Sequence, residues 1–134
     1  MVGHEGMISS PQISIGFGCS SRANCDDIIQ LIQACTSEMR GDGIVATLDR
    51  RAAMGALVAE TLGLRLVVFP ASTLAKVPGT STHSPLALTM TDTGNVAEAS
   101  ALASLGPGAR LVVRRRTGRF CTCAVAALPQ AEDQ

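Results

Sequence analysis

Short apolar runs alternate with amphipathic stretches through the first half of the chain, and this alternation limits the fold more than any other feature. Ile13-Ser14-Ile15-Gly16-Phe17 reads as a strand, with apolar residues at every second position. Ile28, Leu31, Ile32 and Cys35 then recur at helical spacing and predict a helix over about 25–40. Asn24 is its expected N-cap, Asp26 and Asp27 suit its positive first turn, and Gly41 to Gly43 stop it. Gly43 to Leu48 is a second strand. Asp49 is placed to cap the next helix, in which Ala53, Leu57, Ala59 and Leu62 form a wide apolar face that Gly63 ends. Arg65 to Phe69 is a third strand, closed by Pro70.

The second half changes character. Ser72 is placed to cap a single turn through Lys76, and Pro78 to His83 is a polar loop. Ser84-Pro85 starts a short helix reaching about Met90, which Asp92-Thr93-Gly94 breaks. Asn95 caps an Ala-rich helix from Val96 to Leu105, and Gly106-Pro107-Gly108 stops it. Strands Ala109–Arg115 and Phe120–Ala127 close the pattern, joined as a hairpin through Arg116 to Arg119. Strands alternating with helices imply a parallel sheet covered on both faces, and the hairpin makes it mixed. The expected architecture is therefore α/β: a three-layer α/β/α domain with a mixed, mainly parallel five-stranded sheet ending in a β-hairpin. At 134 residues one domain is expected, over 12–128, after a flexible leader (1–11) and before a polar tail (129–134).

Composition removes several function classes. Eleven basic residues balance eleven acidic ones, which argues against a nucleic-acid footprint. Three Phe, no Tyr and no Trp leave no stacking platform for single strands. No apolar run reaches the ~20 residues of a membrane span, and the start lacks a basic region followed by an apolar one, so a cytoplasmic protein without a membrane partner is expected. The five cysteines, at 19, 25, 35, 121 and 123, are odd in number and lack zinc spacing. They read as small buried thiols, with Cys121 and Cys123 on one strand face. No metal and no cofactor is expected.

Ligands of such sheets bind beyond the carboxyl ends of the strands. Gly18, Cys19, Ser20, Ser21 and Arg22 follow the first strand and combine amides, hydroxyls and a guanidinium before a helix N-terminus. They read either as a tight turn with an N-cap or as a site for a carboxylate or phosphate. They are no nucleotide fingerprint: Gly16-x-Gly18 lacks a third glycine at the right offset. Thr47, Asp49, Arg50 and Arg51 follow the second strand. Ser72, Thr73 and the loop carrying Thr80, Ser81 and His83 follow the third. Gly94-Asn95-Val96-Ala97-Glu98 has capping-box spacing, with ligand contact from Asn95 or Glu98 as the alternative. Candidate catalytic groups are Cys19, Asp49, His83 and Glu98, although no histidine lies near Cys19 in sequence to act as its base. Arg110, Arg114, Arg115, Arg116 and Arg119 make the hairpin basic, either as a solvated edge or as an anion stripe.

These segments carry a family resemblance. Gly16-Phe17-Gly18-Cys19-Ser20-Ser21-Arg22 and Ile44-Val45-Ala46-Thr47-Leu48-Asp49 resemble the opening of the CobE family of cobalamin biosynthesis, which is also the C-terminal domain of CbiG proteins. Leu62-Gly63-Leu64-Arg65-Leu66, Gly94-Asn95-Val96-Ala97-Glu98-Ala99 and Thr122-Cys123-Ala124-Val125-Ala126 continue the match over about residues 12–127. Ser20, Arg50, Arg51 and Asn95 depart from the family's usual residues but keep donor or capping capacity.

The resemblance implies a role in building the corrin ring of vitamin B12, through binding or acting on an intermediate of the precorrin or hydrogenobyrinic type, in the oxygen-dependent route. Such rings carry acetate and propionate carboxylates, which suit a cleft of amides, hydroxyls and arginines. An Ala-rich surface is expected to accommodate the ring itself. An accessory binder is favoured over a lactone-opening hydrolase like full-length CbiG, and over a module that docks another pathway enzyme. Homodimerisation stays open.

Overall fold

The computed structural model describes residues 13–37, 43–77 and 96–128. The leader, the tail and the segment holding Thr80, Ser81, His83, Gly94 and Asn95 lie outside the described residues, as does the short helix expected at Ser84-Pro85.

The chain runs β1 (Ile13–Cys19), α1 (Cys25–Thr36), β2 (Gly43–Leu48), a 3₁₀ turn (Asp49–Arg51), α2 (Ala52–Leu62), β3 (Arg65–Phe69), the single turn α3 (Ala71–Leu74), α4 (Val96–Leu105), β4 (Arg110–Thr117) and β5 (Cys121–Ala127). The sheet order is β3-β2-β1-β5-β4. β1 pairs parallel with β2, and β2 with β3, while β5 runs antiparallel between β1 and β4. Four strands thus point one way and β5 the other, the mixed three-layer α/β/α sheet that the alternation implies.

Crossover handedness explains the layers. The β1–α1–β2 and β2–α2–β3 connections step the same way across the sheet, so right-handed crossovers put α1 and α2 on one face, where they touch each other. The connection from β3 to β4 steps back across the whole sheet, which puts α4 on the other face, against β1, β2 and β5.

The two faces are built differently. On the α1–α2 face, Ile15, Phe17, Cys19, Val45, Cys121, Cys123 and Val125 of the sheet pack on Ile28, Ile32, Cys35 and Val58. On the α4 face the sheet presents small residues. A Cβ on Gly16 would run into the Ala97 carbonyl oxygen, and would sit 2.7 Å from Ser100 Oγ and 2.8 Å from Ala101 N. Val96 to Leu102 are all buried. The Ala-rich run therefore forms the close helix-to-sheet contact and is not a surface for a ring, which corrects that expectation. Hydroxyls finish the seam: Ser100 Oγ donates to the Val96 carbonyl at 2.6 Å, and Ser104 Oγ to Ser14 Oγ.

Several boundaries shift for local reasons. β1 extends to Cys19 because β5 pairs along its full length, from Ile13↔Ala127 to Cys19↔Cys121. Asp49 does not cap α2, because a 3₁₀ turn intervenes and Arg51 holds the N-cap position without a side-chain bond. Ser72 lies inside α3, whose N-cap is Pro70. Leu57 is 52% exposed, so the apolar face of α2 is narrower than its sequence suggests. The hairpin turn sits two residues later than expected: Gly118 N donates to the Cys121 carbonyl at 2.8 Å, leaving Arg119 and Phe120 at the tip.

Candidate functional site

All four co-directional strands end at one edge of the sheet, and the pieces of the site collect there. The hairpin tip, which follows β4, reaches the loop after β1, since Ser20 N donates to the Phe120 carbonyl at 3.0 Å. α1 starts at the same edge, its Asp27 carbonyl 3.7 Å from Cys121 Sγ. α4 starts there too, because Val96 packs with Leu48 at the end of β2 while Ser104 reaches Ser14 at the start of β1. Helix N-termini carry partial positive charge, so this edge favours anions before any side chain is counted.

The loop after β1 is short and internally braced. Ser20 Oγ accepts from Arg22 N at 3.2 Å, and the Ser20 carbonyl accepts from Ala23 N at 3.2 Å. Asn24 and Asp27 form a full capping box on α1: Asn24 Oδ1 accepts from Asp27 N at 2.8 Å, and Asp27 Oδ2 from Asn24 N at 3.2 Å. Ser21 and Arg22 are left exposed. Gly18 and Cys19 are not loop donors. They are buried in β1 opposite Thr122 and Cys121.

The remaining candidates divide. Asp49 and Arg50 are exposed in the 3₁₀ turn after β2. Thr47 is fully buried, and its hydroxyl donates to the Phe17 carbonyl at 2.7 Å, a brace between β2 and β1. Glu98 is also fully buried, and its Oε2 accepts from Arg115 N at 2.8 Å. That bond has a structural cause. From Arg110↔Ala127 to Thr117↔Thr122, β4 takes seven steps (117 − 110) against five in β5 (127 − 122), so β4 bulges twice. Arg115 lies in the second irregularity, between Val113 and Arg116, and the Glu98 carboxylate supplies its amide with an acceptor.

The thiols are set by burial. Cys19 is held above its ordinary pKa by desolvation, an effect that the Arg51 charge partly offsets, so it stays a protonated thiol near neutral pH. Desolvation and the Asp27 charge push Cys121 up to about 11. Cys35 and Cys123 share a hydrogen bond across the α1–β5 contact, and the bond from Cys123 lowers Cys35 to about 7. Cys19, Cys35, Cys121 and Cys123 are buried and Cys25 is half-buried, all five as free thiols. Among the described residues no group of three or more Cys, His, Asp or Glu could hold a metal, and no helix is long and apolar enough to cross a membrane.

Four more residues stand at this edge: Arg51 and Arg119, which the sequence already offered as anion-binding candidates, and Thr122 and Phe120, which it did not. Arg51 Nε and Thr122 Oγ1 are buried without a hydrogen-bond partner, and they flank the end of β1: Thr122 is paired with Gly18, and the Arg51 charge acts on Cys19. Buried polar atoms are nearly always partnered, so two orphans at one strand end mark it out. Phe120 and Arg119 form the hairpin tip beside Arg22. The Arg22 guanidinium lies 5.5 Å from the Phe120 ring centre and that of Arg119 lies 5.4 Å away. Arginine abundance in the hairpin was visible in the sequence; the β1–β5 register that brings its tip to Arg22 was not. Two small hollows, of about 150 and 350 Å³, lie at the opposite end of the sheet and carry no titratable side chain.

The family model described as cobalamin synthesis G C-terminus matches residues 13–126. The chain belongs to that family. Its described elements fall almost wholly inside the family's span, and membership makes it a cobalamin-biosynthesis protein. The crystal structure of CobE, a protein from the cobalamin (vitamin B12) biosynthetic pathway, is similar, with TM-score 0.74, 26% identity, and coverage of 89% of this chain and 92% of that one. The cobalamin biosynthesis protein chiG from Agrobacterium tumefaciens str. C58 matches with TM-score 0.62 and 27% identity, over 87% of this chain and 98% of that one. A cobalamin biosynthesis protein G homolog from Sulfolobus solfataricus shares the fold, with TM-score 0.68 and 22% identity, over 89% of this chain and 37% of that one. No curated protein sequence matches the chain.

Proposed function

We propose that this cobalamin synthesis G C-terminus protein binds a corrin-ring intermediate, of the precorrin or hydrogenobyrinic type, by its carboxylate rim, as an accessory protein of the oxygen-dependent route. The observation that carries the reading is the gathering of Arg22, Arg50, Arg51 and Arg119 at the carboxyl edge, where α1 and α4 also begin. Guanidinium pairs with carboxylate in a planar, bidentate way, and helix N-termini add to the same field. Several weak contacts spaced along an edge suit a ligand with several carboxylates better than one with a single charge.

The reading as a binder rests on the state of the candidate catalytic groups. Cys19 is buried and protonated, and the Glu98 carboxylate is engaged by the β4 bulge. Asp49 remains exposed beside Arg50 in the 3₁₀ turn after β2. Mixing the protein with a metal-free corrin that keeps its free carboxylates, followed by gel filtration with visible-wavelength detection, tests the proposal. Comigration at micromolar protein that weakens as salt rises is expected. Separate elution of protein and corrin contradicts it.

A further inference from the structure

We infer that the tip of the β4–β5 hairpin is the ring-contacting wall of this site, with Phe120 meeting the flat face of a conjugated macrocycle and Arg22 and Arg119 holding carboxylates on its rim. The inference rests on the corrinoid reading above and adds the group that would recognise the ring itself.

Backbone strain is the first support. Phe120 has φ +62°, the one non-glycine residue with positive φ among the described residues. Bulky side chains rarely adopt that region, and glycine is the residue that a two-residue hairpin tip favours there. Strain of this kind is held by the surrounding structure and clusters at active sites and ligand clamps.

Exposure is the second. Phe17 is fully buried and Phe69 half-buried, so Phe120, 39% exposed, is the one exposed aromatic of three. Leu57 and Val112 are more exposed, so exposure alone marks nothing; what it supplies is an aromatic ring within reach of a ligand at the carboxyl edge.

Its neighbours are the third. Guanidinium groups from two separate segments lie 5.4 and 5.5 Å from the ring centre, within cation–π range. The Ser20–Phe120 backbone bond and the Ser20–Arg22 bond tie loop and tip into one unit. Arg22 and Arg119 are both exposed, so either can swing from the Phe120 ring to a ligand carboxylate without undoing a buried contact. An aromatic face flanked by two exposed cations matches a conjugated ring edged with carboxylates.

The test uses the full chain and two probes: a metal-free corrin with free acetate and propionate groups, and the same ring with those groups as amides. Phe120→Gly removes the ring and supplies the residue that the turn prefers. It should keep or raise the thermal midpoint and weaken both probes about tenfold, leaving the acid-over-amide preference unchanged. The Arg22→Gln/Arg119→Gln double variant should reduce that preference about fivefold. Unchanged affinity of Phe120→Gly for both probes overturns the inference and leaves the corrinoid reading standing. Absence of binding by the unsubstituted protein overturns both. If Phe120→Gly lowers the thermal midpoint, Phe120→Leu decides, since it keeps apolar bulk without an aromatic face: weaker binding supports the inference and equal binding overturns it.

Discussion

The α1–α2 face of the sheet and the α4 face solve the same packing problem with opposite materials. On the first, long side chains such as Phe17, Ile28 and Ile32 interdigitate with thiols of Cys19, Cys35, Cys121 and Cys123. On the second, Gly16, Ser14, Ala97, Ser100 and Ala101 let the backbone of α4 come down onto β1. Side-chain packing can relax by rotamer changes, whereas a backbone-to-backbone contact has no such freedom. The difference teaches where this fold is brittle, and one carbon atom on either face measures it.

The largest effect is expected at Gly16→Ala. The added methyl meets backbone atoms of α4, which cannot move without lifting the helix. A loss of at least about 3 kcal/mol in denaturant unfolding is expected. A loss below about 1 kcal/mol would break the comparison.

Glu98→Ala comes next, because it strips the acceptor from the Arg115 amide and opens a buried space. About 2–4 kcal/mol should be lost. Glu98→Gln keeps an acceptor oxygen and should lose clearly less. Equal losses would mean that the carboxylate does not serve the bulge.

On the forgiving face, Ile28→Val removes one buried methylene and should cost only about 1 kcal/mol. A cost equal to that of Gly16→Ala would erase the distinction between the faces.

The effect of the thiols is set apart from these, because it shows only at alkaline pH. Cys121 titrates near 9.0 when unfolded and at about 11 in the fold, so between those values the unfolded chain binds fewer protons than the native one. Stability is therefore fully present below about pH 9 and falls as pH rises toward about 11. The chain has one lysine, Lys76, and no tyrosine, but burial also raises Cys19, and the Cys35 bond with burial raises Cys123, so only the comparison with a Cys121 variant isolates its share. Urea unfolding across that window should show the decline in the wild type and a shallower one in Cys121→Ala. A slope unchanged by the substitution would contradict the assignment.

Local pattern carried much of the fold. The βαβαβ order, the Ala-rich helix from Val96 to Leu105, the Asn24 cap and Gly63 as helix stop follow from spacing and backbone preference, and the structure agrees. What local pattern could not carry was long-range register. Pairing of β5 with β1 extends β1 to Cys19 and moves the turn to Arg119-Phe120, so Phe120 leaves its expected strand and joins Arg22. The same limit applies to the alanines. An Ala-rich stretch reads alike whether it faces solvent, a ligand or a glycine on a neighbouring strand, and only the position of α4 over Gly16 decides. Of the candidate site, the exposed loop residues Ser21, Arg22, Asp49 and Arg50 were legible, since carboxyl-end loops of such sheets are known ligand positions. Thr47 and Glu98 looked the same in sequence but are consumed by the Phe17 carbonyl and the β4 bulge.

The central question for this protein is whether its carboxyl edge holds a corrin by the rim. The most direct measurement is a visible-spectrum titration of the wild type and the Arg22→Gln/Arg51→Gln/Arg119→Gln variant with a metal-free corrin polycarboxylate, each protein first shown to be folded by its thermal midpoint. Saturable binding by the wild type and a loss of at least about tenfold in the variant are expected. Equal binding by both proteins, or none by the wild type, would contradict rim binding.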